Sequence, residues 1–247
     1  MRSLVLTKFH FLSMWNWRSV YLGRFIEPIA FLILLGGGLS GSVATRAGSY
    51  PAFMLIGLIC VVAFRAGTST VSDVANDRKW GIFAIYVMQG GGIAGYLGSL
   101  VLFAVSVFLV QVLTLAGVAS VLFGADVMQA DQLFQLVALG IVIVVGWVGF
   151  GAAAGARIQS YSKRDLVITL TSLPVVLAAP LFYPLDSAPH YIKWLSAANP
   201  LTYQVAWLRA EGLEITRGYG FAAAWCLTGL LLAFFLLRAA DRISNER

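Results

Sequence analysis

Few side chains in this 247-residue sequence have the types and spacing that catalysis or metal binding requires. The two histidines, His10 and His190, lie far apart, and neither is near a group of Cys, Asp or Glu with metal-ligand spacing. Both cysteines, Cys60 and Cys226, fall inside apolar runs, where cysteine usually packs as a small core residue. No G-x-x-x-x-G-K-[ST] phosphate loop occurs. The sequence therefore predicts no metal centre, no bound cofactor and no enzymatic activity in this chain.

Two opposite charges, Glu27 and Arg65, interrupt long apolar runs at similar depths from the same end. Their matched depth predicts that they pair across two helices; alternatively, Glu27 pairs with Arg24 one helical turn earlier. Such a pair would be either a relay for protons or substrate, or a purely structural ion pair. We favour the structural interpretation, because a relay normally needs more than one such site.

A short segment of mixed charge follows the second apolar run and is the best candidate for contact with a partner protein. Its candidate contact residues are Asp73, Asn76, Asp77, Arg78, Lys79, Trp80 and Gly81. Further along the chain, a short basic connection from Arg157 to Asp165 includes Lys163 and Arg164. The alternative is that the first segment is an ordinary solvated loop between two spans.

The elements that position these residues are membrane helices. The chain is 60% hydrophobic and only 11% charged, whereas a soluble domain of this size carries about a quarter charged residues. Apolar runs of about twenty residues indicate an all-α integral membrane protein. We predict one domain over residues 1–247. It has an interfacial helix at about 1–19, a helix at about 73–87, and six spans at about 20–39, 51–71, 93–123, 133–156, 166–182 and 221–237.

The placement of lysine and arginine predicts the orientation of these six spans. Of the 17 basic residues, 13 lie in the N-terminal segment, the second-to-third and fourth-to-fifth connections, the C-terminal tail and the adjoining span ends. The opposite side has Arg46, Lys193, Arg209 and Arg217. Because basic residues concentrate in cytoplasmic loops, both termini are expected in the cytoplasm.

The stretch between spans five and six, which this orientation places on the outer face, is not a plain span. Prolines break it repeatedly, and aromatic side chains suited to a membrane interface surround them. We predict a short amphipathic helix at about 191–197 and a second short helix at about 201–213, with a proline in its first turn. The residues of interest here are Tyr183, Pro184, Pro189, Trp194, Asn199, Pro200 and Tyr203.

At this point the chain resembles the type-2 ABC transporter permeases, including the daunorubicin-exporter-like and the polysaccharide or lipo-oligosaccharide exporter groups. The resemblance covers essentially the whole chain. Its most specific part is Leu181-Phe182-Tyr183-Pro184-Leu185-Asp186, then Pro189, Trp194-Leu195, Asn199-Pro200-Leu201-Thr202-Tyr203 and Leu208-Arg209.

The resemblance implies a half-transporter in the plasma (bacterial inner) membrane. Two permease copies would form a homodimer around a path for an amphipathic, drug-like or lipid-linked glycan substrate. A separate ABC ATPase dimer would bind ATP and Mg²⁺. It would dock on the 73–87 helix, with Lys163 and Arg164 as a second contact. The motif from Asp186 to Arg209 would form the re-entrant helices that close the outer gate, and no nucleic acid would be involved.

Two other classes of protein remain as alternatives. A secondary, ion-coupled transporter would need several ionisable groups and broken helices at mid-membrane, and few occur beyond Glu27 and Arg65. An intramembrane enzyme would need a nucleophile with its base or a metal cluster, and the sequence has neither pattern.

Overall fold

The computed structural model describes residues 2–40, 49–185, 188–210 and 213–239, and in these ranges it is helical, without strands. The long helices are α1 (Arg2–Asn16), α2 (Arg18–Phe31, continued by a π-helical turn at Leu32–Gly36), α3 (Tyr50–Lys79), α5 (Ile93–Phe123), α6 (Ala130–Gly155), α7 (Tyr161–Ala178) and α10 (Leu213–Ala239). The short ones are α4 (Ile82–Met88), a 3₁₀ turn (Ala125–Val127), α8 (His190–Ala197) and α9 (Pro200–Leu208). The fold class is therefore all-α, as predicted.

Four of the six predicted spans are helices long and apolar enough to cross a bilayer, namely α3, α5, α6 and α10. A fifth results if α1 and the helix over Tyr21–Gly36, which meet at an angle of 76°, count as one bent span. Helix α7 occupies the fifth predicted span, but its 18 residues include Lys163, Arg164 and Asp165. By length and composition the described residues thus support four or five spans, and a count of six remains a prediction.

The second predicted span and the charged segment after it form one helix. The prediction treated them as two elements, with the span ending at residue 71 and a new helix beginning at residue 73. Helix α3 begins at the Ser49 cap, whose hydroxyl accepts the Ala52 amide at 3.4 Å, and runs for 30 residues to Lys79. No helix breaker lies between the apolar and the charged part, so the helix continues through both. It stops at Gly81, whose φ of 74° is readily adopted only by glycine, and α4 starts afterwards.

Helix α6 lies between α3 and α10, and glycines let the three backbones approach closely. A methyl group on Gly151 would collide with the Gly67 carbonyl of α3, and one on Gly149 would collide with the backbone at Gly229 of α10. Small residues at such crossings are typical of membrane helix pairs. The packing of α3, α6 and α10 defines two ends of the bundle. The Lys79 end comprises the end of α3, helix α4 and the start of α7. The Trp194 end comprises the start of α3 and helices α8 and α9.

Candidate functional site

At the Lys79 end, the two predicted contact segments meet around one aromatic ring, that of Tyr161. The ammonium of Lys79 lies 3.6 Å from the ring centroid, and the guanidinium of Arg164 lies 5.0 Å from it. The indole N–H of Trp80 donates to the Tyr161 hydroxyl at 3.0 Å. Arg164 also donates to the Asn76 side-chain oxygen at 2.9 Å. The end of α3 and the first turn of α7 therefore form one basic and aromatic surface.

Two predicted contact residues of this segment face the interior instead of that surface. Asp77 is buried and accepts a hydrogen bond from the Tyr96 hydroxyl at 2.8 Å. Asp73 lines a small cavity of about 40 Å³ together with Arg24 and Ser69, and Arg24 donates to the Ser69 hydroxyl at 2.7 Å. Because a continuous helix turns each successive residue by about 100°, alternate parts of a charged stretch must point inward.

The remaining predicted contact residues take three different positions. The guanidinium of Arg78 donates to the Ala156 carbonyl and so joins α3 to the connection after α6. Gly81 forms the left-handed turn between α3 and α4. Lys163 lies in the first turn of α7, where its amide donates to the capping hydroxyl of Ser160 at 3.3 Å, and its side chain is exposed.

A groove of about 790 Å³ lies between α1 and α4 beside this surface. Its lining is mostly apolar and includes Phe9, Leu12, Trp17, Trp80 and Ile85. All five side chains are at least half exposed. Exposed apolar clusters of this kind on a folded protein commonly mark a binding surface for another protein or for lipid.

At the Trp194 end, a partly buried cation holds three segments together. The Arg209 guanidinium donates to the carbonyls of Pro180 at 2.8 Å, Phe53 at 3.0 Å and Leu181 at 3.2 Å. It also lies 3.5 Å from the centroid of the Phe53 ring. Burial lowers the pKa of Arg209 to about 10, so the group remains cationic at neutral pH. Arg209 thus joins the end of α9 to the start of α3 and to the segment after α7.

The close approach at this end depends on Gly57 of α3. A Cβ at this position would lie 2.5 Å from the Leu181 carbonyl oxygen. On the same side, the Tyr50 hydroxyl donates to the Phe182 carbonyl at 3.0 Å. The segment from Pro180 to Phe182 is therefore held against α3 by the side chains of Arg209 and Tyr50, and the lack of a side chain at Gly57 allows the close approach.

Most predicted outer residues shape the backbone of this region. Asn199 caps α9 by accepting the Leu201 amide at 3.0 Å, and its amide group donates to the Val175 carbonyl of α7 at 2.6 Å. Tyr183 and Tyr203 donate to the carbonyls of Leu177 and Ala197, both at 2.8 Å. Pro189 precedes α8, Pro200 is in the first turn of α9, Pro184 lies in the turn before α8, and Trp194 is exposed. Asp186 lies outside the described residues.

The two short helices lie close to the predicted positions. Helix α8 starts at His190, one residue before the prediction, and α9 ends at Leu208, five residues before the predicted end at Leu213.

Glu27 and Arg65 are in contact across α2 and α3. The guanidinium donates to both carboxylate oxygens, at 2.7 Å and 2.5 Å. Arg24, the alternative partner, instead donates to Ser69. The pair is only partly buried within this chain, with 28% of the Arg65 side chain and 47% of the Glu27 side chain exposed. A bidentate pair of this kind satisfies both groups and holds α2 beside α3.

Sequence reasoning missed the central position of Tyr161 and the anchoring role of Arg209. The signal for the first was a tyrosine that directly follows a capping serine and lies two residues before a pair of basic residues. For the second, the signal was a single arginine at the end of an apolar helix with no acidic residue close before it.

Together these features define a class of protein. A chain whose described residues form several apolar helices of bilayer length is a multi-pass membrane protein. Among the described residues, no group of three His, Cys, Asp or Glu side chains could hold a metal ion. Residues 2–211 match the family described as ABC-2 type transporter, so the chain belongs to that family. The predicted resemblance is therefore confirmed.

Curated relatives agree with this assignment. The chain is 21% identical over 204 residues to a protein of Porphyra purpurea named as a transport permease, ycf38, covering 81% of this chain and 69% of the relative. It is 24% identical over 231 residues to Nodulation protein J of Rhizobium leguminosarum bv. trifolii, covering 90% and 85%. It is 26% identical over 249 residues to Nodulation protein J of Sinorhizobium fredii, covering 90% and 91%.

Proposed function

We propose that this chain is the permease subunit of an ATP-driven exporter, with six spans, both termini in the cytoplasm and a place in the plasma (bacterial inner) membrane. ABC-2 permeases normally work with an ABC ATPase, and this chain belongs to that family. The observation that supports the proposal most directly is the exposed groove between α1 and α4, next to the basic surface around Tyr161. ATP and Mg²⁺ would be bound by the partner.

The Lys79 end is the face on which we place the ATPase. Helix α4 presents Ile85 and Met88, which are 51% and 78% exposed, and the groove beside it is large enough to receive an apolar side-chain row of a partner helix. Lys79 and Lys163 add positive charge at the rim, where charge steers association. Movement of the docked ATPase would then be passed to α3 directly.

The substrate class we propose is an amphipathic, drug-like or lipid-linked glycan molecule. The support is limited to the family and to the apolar character of the helices α2 and α7, whose exposed side chains include Leu22, Ile26, Leu166, Leu170 and Leu173. Two copies of the chain would place these faces along a shared path. Apolar walls suit a molecule with a hydrophobic part.

An ion-coupled secondary transporter is the alternative function. It would need ionisable groups that exchange protons or ions at mid-membrane. In the described part of the chain, both carboxylate oxygens of Glu27 accept hydrogen bonds from Arg65, which favours the charged carboxylate and leaves neither oxygen without a partner. This arrangement favours a structural pair over an exchange site.

Co-purification with candidate ABC ATPase subunits, co-expressed with this chain, tests the proposal. We expect a stable complex from the native chain, and loss of the complex in Ile85→Asp because a carboxylate would enter the apolar groove. Loss of an interface anchor typically costs about 2 kcal/mol, which is about thirtyfold in Kd.

Leu195→Asp on α8 is the matched control, because Leu195 is 57% exposed at the opposite end of the bundle. It should bind the ATPase as the native chain does. Native binding by Ile85→Asp, or loss confined to Leu195→Asp, would mean that the Lys79 end is not the docking face. Failure of the native chain to bind any ATPase, with transport driven by a proton gradient, would favour the secondary transporter.

A further inference from the structure

The contacts of Tyr161 join two elements that the chain itself separates by the whole of α4, α5 and α6. The cations of Lys79 and Arg164 both lie over its ring, and its hydroxyl accepts the Trp80 indole N–H. Lys79 and Trp80 close α3, whereas Tyr161 and Arg164 belong to the first turn of α7. One side chain therefore contacts every participant in this junction.

Helix α7 has little else to hold it at this end. None of its described side chains is fully buried, and one of its faces is apolar and exposed, with Leu166, Leu170 and Leu173 each more than half exposed. At the far end α7 is held by Asn199, which donates to the Val175 carbonyl. The position of the near end thus depends on the Tyr161 contacts and on the Arg164–Asn76 hydrogen bond.

Charge explains why an aromatic ring is needed at the junction. Lys79 and Arg164 carry the same charge and repel each other across the α3–α7 contact, although the Asp165 carboxylate, 2.8 Å from Arg164, balances part of this charge. The face of an aromatic ring attracts cations, so both can approach it. The hydroxyl adds a directional hydrogen bond from Trp80, which fixes the ring edge.

We infer that Tyr161 is a positioning residue that ties the start of α7 to the end of α3, so that the two helices move as one body when the Lys79 end is displaced. The functional meaning of the tie rests on the proposed function, since it would carry movement of the ATPase to α7 as well as to α3. The tie itself is a property of this chain alone and can be tested without a partner.

The test measures the distance between spin labels on the purified chain in lipid nanodiscs. Labels replace Met88 of α4 and Leu170 of α7, which are 78% and 62% exposed, after Cys60 and Cys226 are changed to alanine. Labelled protein is diluted with unlabelled protein so that only distances within one chain are read. A narrow distribution is expected for the native tyrosine, and Tyr161→Leu should broaden it by about twofold, because a freed helix end samples more positions.

Two controls separate the tie from general loss of structure. Tyr161→Phe keeps the ring over which the two cations lie and should remain close to the native width. A second label pair, on Met88 and on Val110 of α5, which is 54% exposed, should stay narrow in Tyr161→Leu. Broadening of this second pair as well would show that the leucine variant is misfolded at α4, and would overturn the inference, as would an unchanged Met88–Leu170 width.

A second arm uses the complex with its ATPase, trapped with ATP and vanadate. In the native chain the Met88–Leu170 distance should stay fixed on trapping, and in Tyr161→Leu it should shift. If no ATPase binds the native chain, the proposed function fails. The widths of the distance distributions in the first arm still test whether Tyr161 holds α7 to α3. If the native distance shifts on trapping, α3 and α7 do not move together and the inference is wrong.

Discussion

Replacing Gly57 with alanine should destabilise the Trp194 end of the bundle. The added Cβ would lie 2.5 Å from the Leu181 carbonyl oxygen and 3.1 Å and 3.2 Å from the carbonyl carbon and Cα of the same residue. These are backbone atoms, and they are held: the Leu181 carbonyl accepts from Arg209 at 3.2 Å, and the next carbonyl accepts from Tyr50 at 3.0 Å. The substitution must therefore move α3 away from the segment after α7.

The change in the free energy of unfolding is the sum of one favourable and two unfavourable contributions. Alanine is favoured over glycine inside a helix by about 1 kcal/mol. Forcing a side chain into a tightly packed contact costs about 1–3 kcal/mol, and backbone neighbours place this site near the upper end. Weakening of the Arg209 hydrogen bond to Leu181 adds about 1 kcal/mol. The free energy of unfolding should therefore fall by about 2–3 kcal/mol.

Thermal unfolding of the detergent-solubilised protein, followed by tryptophan fluorescence, measures this effect. The matched control is Gly117→Ala in the C-terminal third of α5, where no atom lies within 4 Å of the added Cβ. We expect this control to unfold at the native temperature or slightly above it. A Gly57→Ala protein as stable as the Gly117→Ala protein would refute the close contact between α3 and Leu181.

Three further substitutions test separate contacts. A double-mutant cycle of Glu27→Gln and Arg65→Gln, measured on the free energy of unfolding, should give a coupling energy of about 1 kcal/mol. A coupling energy near zero would mean that the pair does not stabilise the α2–α3 contact. Arg209→Lys should lower the free energy of unfolding by about 1–3 kcal/mol, since one ammonium group cannot reproduce a planar fork that reaches three carbonyls; a lysine variant with native stability would contradict this. Gly81→Ala should cost about 1 kcal/mol because φ there is 74°, as measured against Gly98→Ala, whose Cβ meets nothing within 4 Å.

Apolar run length predicted the helices best where glycines bound the run on both sides. The span predicted at 93–123 coincides with α5, because Gly92 and Gly124 mark its two ends. The prediction was weakest at the end of α3, where hydropathy changes but helical propensity does not. A change in hydropathy locates the membrane boundary, whereas only a residue such as Gly81 ends the helix.

The sequence predicted which segments form the candidate site, but not which of their residues contact each other. The sequence indicated that the 73–81 stretch and the Lys163–Arg164 connection both belong to one side of the membrane. It could not show that they meet at Tyr161, because that contact depends on how α3, α6 and α7 pack. The same reason hid the inward orientation of Asp77, which is set by the position of Tyr96 on α5.

Helix α3 connects the two ends of the molecule as a single rigid rod. Its 30 residues correspond to a length of about 45 Å, with the Arg209 contacts near its first turn and the Tyr161 contacts at its last. A rod of this length converts rotation into translation: a tilt of about 5° displaces one end relative to the other by about 4 Å. A small displacement of the Lys79 end can therefore move the Trp194 end while α3 stays helical along its whole length.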